Sequence, residues 1–98
     1  MLDQLQASDF SPLLNQTLNI RFSPEITLPA ELIQVRDVES YTPLERKPFA
    51  IVLRTDQKTH YYHQTVAVLE HPEKGDLSIF FVPVGADSKG VLYEALFA

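Results

Sequence analysis

QTVAVLEHPEKGDLSIFFVPV, residues 64–84, decides the fold. Gln64 to Glu70 is rich in β-branched residues and reads as a strand, and Leu77 to Val84 is its antiparallel return. Between them His71-Pro72-Glu73-Lys74-Gly75 places proline early and glycine where a tight turn needs positive φ. The period of two extends outward in both directions. Upstream, Leu18, Ile20 and Phe22 alternate with Thr17, Asn19 and Arg21, and Phe49, Ile51 and Leu53 alternate with Ala50 and Val52. Downstream, Val91, Tyr93, Ala95 and Phe97 alternate with Leu92, Glu94 and Leu96.

The long run from Ile26 to Val38 starts with Ile26, Leu28, Ala30 and Leu32 on one face. Ile33, Val35 and Val38 then take the other parity, which predicts a bulge or change of sheet near Pro29 and Glu31. Ser23-Pro24-Glu25 and Gly85 to Gly90 read as turns. Glu39 to Pro48 and Thr55 to His63 read as long connections. Only the start departs from the period of two: Leu2, Leu5, Phe10, Leu13 and Leu14 recur at spacings of three and four, with Ser8 and Asp9 as a start signal. This predicts a short helix near Ser8 to Leu14, limited by Pro12 and stopped by Asn15, which tolerates the left-handed conformation.

Six short strands at roughly ten-residue spacing predict an all-β, mainly antiparallel fold, a small barrel or sandwich with one short N-terminal helix. No repeat or composition shift divides residues 1–98. Composition agrees, since 45% hydrophobic and 21% charged residues suffice for an ordinary core and exclude a disordered class. A formal charge of −5 with no basic cluster argues against a nucleic-acid or anionic-membrane partner. The start is polar and no apolar run reaches the ~20 residues of a membrane helix, so the expected location is cytoplasmic.

The search for chemistry predicts no enzyme, metal or cofactor. With no cysteine, thiolate ligands and cysteine nucleophiles are excluded. His60 and His63 flank Tyr61 and Tyr62, but three-apart residues converge on a helix and not on a strand, and a third ligand from Asp56 or His71 requires an assumed fold. Glu70-His71 reads as a local hydrogen-bonding pair beside a turn. The acids are scattered over turns (Asp56, Glu73, Asp76, Asp87) and outward strand positions (Glu31, Glu94), so paired-carboxylate catalysis has no candidate site. There is no Gly-x-Ser-x-Gly elbow, and Gly85-Ala86-Asp87-Ser88-Lys89-Gly90 lacks the order and following helix of a phosphate loop.

The positive lead is an apolar face. If Phe49, Ile51, Leu53, Leu77, Ile79, Phe81, Tyr93, Ala95 and Phe97 point inward, then Ala50, Val52, Phe80, Val82 and Leu96 share the outside, a patch soluble monomers rarely leave bare. Its expected cover is the Leu2 to Leu14 segment acting as a lid, with a protein partner or homodimer contact as the rival.

The segments Leu69 to Gly75, Phe81 to Gly85 and Gly90 to Phe97, in the pattern EHPExG…FVPVG…YEAxF, resemble a family of small bacterial domains of unknown function of about a hundred residues. The resemblance extends to Asp9-Phe10-Ser11-Pro12-Leu13-Leu14 and to Pro48-Phe49, and departs from the family where Asn15 replaces a usual glycine. Members are often encoded beside proteins with phage-tail-collar domains, so the resemblance implies an accessory role in a tail-like or secreted assembly. The expected function is a non-enzymatic interaction module. The alternative is a small-ligand-binding β-barrel with the Tyr61-Tyr62 loop at its mouth, a reading that the narrow interior of six strands opposes.

Overall fold

The computed structural model describes residues 5–38, 48–58 and 60–97. Six strands, β1 (Thr17–Ser23), β2 (Ile26–Asp37), β3 (Phe49–Thr55), β4 (Thr65–His71), β5 (Gly75–Ala86) and β6 (Val91–Phe97), close into an antiparallel barrel in the order β1-β2-β3-β6-β5-β4. The ring is sealed where β1 meets β4, with Ile20 opposite Leu69. The all-β expectation is met, and the barrel rather than the sandwich is formed.

The predicted parity decides what lies inside. Ile20, Leu32, Phe49, Ile51, Leu53, Leu69, Leu77, Phe81, Tyr93 and Ala95 are buried in one cluster. Both turn predictions hold. Gly75 has φ +79° and closes the three-residue loop between His71 and its partner Gly75, the arrangement of a hairpin whose left-handed residue needs no side chain. Asn15 has φ 69° and delivers the chain to β2 through its N–H on the Leu32 carbonyl at 2.7 Å. Gly90 has a different reason to lack a side chain: a Cβ there would stand 1.6 Å from the Thr55 carbonyl oxygen.

Two expectations are corrected in position. The irregularity in β2 lies between Leu32 and Gln34, not near Pro29 and Glu31; Pro29 is accommodated on β2 opposite Asn19. The N-terminal helix is a pair of 3-10 turns, Ala7–Asp9 and Ser11–Leu13. Pro12 has no N–H to donate back across its turn, so the coil breaks there, and each half closes by a bond to the third residue back, Phe10 to Ala7 at 3.0 Å and Leu14 to Ser11 at 3.2 Å. Asp9 starts the first turn by accepting the Gln6 N–H at 2.8 Å.

The expected lid over the outer face is not formed by residues 5–14, and Leu2 lies outside the described residues. Leu5, Phe10 and Leu13 belong to the core cluster, and the Phe10 ring lies against Phe49, Phe97 and His71 at centroid distances of 5.9, 5.7 and 5.3 Å. The segment plugs one mouth of the barrel and leaves Phe80 52% exposed. The physical reason is that the mouth offers Phe10 three rings and complete burial, which a convex wall cannot give. His71 fixes the plug: one ring nitrogen, Nδ1, accepts the N–H groups of Glu73 and Lys74, both at 3.1 Å, and Nε2 donates to the Asp9 carbonyl at 2.8 Å. The local role expected for His71 therefore extends across the chain.

Phe10→Ala is expected to lower unfolding free energy by about 3–5 kcal/mol in a denaturant titration, the range for removing a buried aromatic. A loss under about 1 kcal/mol would show that the plug is not part of the core.

Candidate functional site

The strand order dictates the second mouth. In a ring of six, β3 and β4 stand diametrically opposite and antiparallel, so the connection over residues 56–64 has to cross the barrel opening. Tyr62 is the residue it drops in. Its ring stacks on Phe22 at 4.5 Å with an interplanar angle of 18°, and its N–H donates to the Tyr93 hydroxyl at 2.9 Å. That hydroxyl donates to Gln57 Oε1 at 2.8 Å, which also accepts from the Thr55 hydroxyl at 2.8 Å. The Tyr61-Tyr62 pair does stand at the mouth, but Tyr62 fills it. Since Tyr93 and Phe97 are four residues apart on β6, the two aromatic plugs sit at opposite ends, and side chains occupy the barrel between them.

Function therefore has to be sought on the outside, where the arginines are committed. Arg21 binds Glu70 at 2.9 Å and Asp76 at 3.2 Å, tying β1 to β4 and β5. Arg54 binds Glu31 at 2.8 Å and Asp87 at 3.0 Å, tying β2 and β3 to the β5–β6 turn, and Arg36 pairs with Glu94. Asp87 also accepts the N–H groups of Lys89 and Gly90 at 2.9 and 3.0 Å. These amides, led by Lys89, together with Arg54, hold its carboxyl below the ordinary 3.8. Such exposed pairs add little stability singly; their effect is to order the surface.

Between these ladders lies the apolar face. Of the five residues expected there, all occupy outward strand positions, but not equally. Ala50 is fully buried and Val52 nearly so, because Ala50 lies between Arg36 and Leu96 and Val52 between Gln34 and Glu94. Val82 is half-buried opposite Glu94, while Phe80 and Leu96 are 52% and 61% exposed. The sequence reading missed Val66, which pairs with Phe80 and is 60% exposed. The signal was present: with Ala67 and Leu69 inward, parity sends Val66 and Val68 outward. Continuing the register of Val82 with Glu94 sets Phe80 beside Leu96, so Val66, Phe80 and Leu96 form one row across β4, β5 and β6.

A second feature lies beside the Tyr62 crossing. Tyr61, His63, Pro83, Val84, Gly85, Ala86 and Val91 line an open groove of about 490 Å³, with the Tyr61 and His63 rings edge to face at 5.6 Å. His71 is occupied by the N-terminal plug, so it does not join His63. Among the described residues no three His, Cys, Asp or Glu side chains form a metal-holding group, and no helix is long and apolar enough to cross a membrane.

The fold and surface define a small closed β-barrel with both mouths plugged by aromatic side chains and an apolar row on its wall. Residues 5–97 match the family described as a domain of unknown function, DUF6916, and the chain belongs to that family. No curated protein and no solved structure matches the chain.

Burial raises the Tyr93 phenol above its ordinary 10.0. The stability that this contributes is complete below pH 10 and lost as pH rises through the folded-state value, because the folded chain holds the proton that the unfolded chain releases. Tyr93→Phe is expected to cost about 1–3 kcal/mol at neutral pH, and the gap to the parent to narrow above pH 10. Parallel pH profiles of the two proteins in thermal melts would contradict this.

Proposed function

We propose that this domain is a non-enzymatic interaction module whose working part is the outer wall around Val66, Phe80 and Leu96. The observation that carries the reading is the exposure of this row on a barrel whose inside is already filled and whose N-terminal segment is used at the mouth. Large apolar side chains exposed together cost solubility, and a binding surface is the usual reason for keeping them. In this reading the partner is a protein, with neither nucleic acid nor membrane involved, and the domain works in the cytoplasm as an accessory to a larger assembly. A tail-like or secreted particle is the assembly that the resemblance of its C-terminal segments suggests.

Affinity capture from the native host with the parent and with Phe80→Glu tests this. A protein retained by the parent and lost with the variant, at equal melting temperature, is the expected result. Identical retained proteins would overturn the assignment of the surface.

The alternative, a small-ligand site, has one observation in its favour, the groove at Tyr61 and His63. It places the ligand against the wall, outside the barrel. Binding of a small aromatic compound that shifts the Tyr61 and His63 NMR resonances and fails with Tyr61→Ala would support it; resonances unmoved by a fragment library would remove it.

A further inference from the structure

We infer that the groove beside Tyr61 and His63 receives a short extended segment of a partner protein, which adds as a strand to the free edge of β5. The inference rests on the interaction-module reading for the class of partner, and goes beyond it in naming a second place of contact and how the partner is held.

The edge is a product of the crossing at the second mouth. β4 and β5 pair from His71–Gly75 as far as Thr65–Phe81. From Gln64 backwards the chain leaves β5, because Tyr62 has to reach the Tyr93 hydroxyl over the opening. β5 itself runs on along β6, with Val82 opposite Glu94 and Ala86 opposite Val91. Residues 82–86 therefore have a strand neighbour on one side only, and among the described residues no backbone hydrogen bond reaches them from residues 60–64. The gap between the parted segments is the groove of about 490 Å³, with Tyr61 and His63 on one wall and Pro83 to Ala86 on the other. An unpaired strand edge facing a groove lets an added strand gain main-chain bonds on one side and side-chain contacts on the other.

Gly85 is an independent sign. The chain has three glycines, and the fold accounts for two of them, Gly75 by its positive φ and Gly90 by the Thr55 carbonyl. Gly85 has neither reason, since its φ is not positive and a Cβ there would meet nothing within 4 Å. A strand glycine that its own fold does not require marks a place where another backbone comes close. The bulge between Pro83 and Gly85 leaves Val84 out of the ladder and 51% exposed, which gives the groove an apolar contact.

The same residues define the guest. Pro83 has no N–H to give and the bulge breaks the register, so the added pairing is short and strands cannot stack without limit. A rise of ~3.3 Å per residue makes 82–86 an edge of roughly 16 Å, which matches a segment of about five residues. No carboxylate, ammonium or guanidinium lines the groove, and Asp87 beside it is held by Arg54. The side chains that face Tyr61 and Val84 are therefore apolar or aromatic.

Random heptapeptides displayed on phage, selected on the full chain and then synthesised, test this. The expected peptides alternate apolar residues and shift the backbone NMR resonances of Val84, Gly85 and Ala86 together with those of Tyr61 and His63. N-methylation of alternate peptide amides, which removes main-chain donors and leaves side chains in place, should weaken binding about tenfold or more. Gly85→Val should keep the parent's melting temperature, because its Cβ has open space, and weaken the same peptides about tenfold or more. Absence of any selected peptide that moves these resonances overturns the inference, as does binding indifferent to N-methylation at every position. Movement of the same resonances on raising the protein concentration alone overturns it too, by giving the edge to a second copy. Each of these failures leaves the interaction-module reading standing where host capture still depends on Phe80. Capture that ignores Phe80→Glu but is lost with Gly85→Val supports the edge and removes the wall.

Discussion

Closing six strands into a ring gives each strand two hydrogen-bonded neighbours and removes the long open edges of a sheet. The same closure creates two openings that the strands themselves cannot cover. Everything outside the regular ladder follows from that. Phe10 and its 3-10 turns fill one opening, and Tyr62 with the Gln57–Tyr93 hydrogen bonds fills the other. The overhanging end of β5, beyond its last pair with β4 at Phe81, carries Pro83 and a bulge before Gly85, both of which blunt a free edge.

Filling both ends decides where activity can reside. A barrel that retains a cavity can specialise by what it encloses, whereas this one has committed its interior to Leu, Ile and aromatic side chains. Variation is left to the wall. There the arginine-centred pairs hold the strand ends, Arg21 with Glu70 and Asp76 and Arg54 with Glu31 and Asp87, while Val66, Phe80 and Leu96 stand exposed between them.

How much of this could be read from the residues differs by element. Strand faces were legible because burial on one side imposes a period of two, and Asn15 and Gly75 were legible because positive φ restricts residue type. Val66 was equally legible by parity. The fate of Phe10 was not: its spacing to Leu13 and Leu14 reports a helical turn but not the Phe49 and Phe97 rings that receive it. The crossing at Tyr62 was hidden too, since local pattern does not encode which strands end up diametrically opposed. Nor does it show that Ala50, although outward, is hidden by its cross-strand neighbours.

The aromatic seat at the first mouth has a consequence for how the chain is made. Phe10 leaves the ribosome before any of the strands, but it rests on Phe49, His71 and Phe97, the last of them 87 positions further on. A contact of such long range carries a large loop-closure cost and is slow to form. The seat of the N-terminal turns is therefore incomplete until β6 is synthesised, because Phe97 is one of the three rings that receive Phe10.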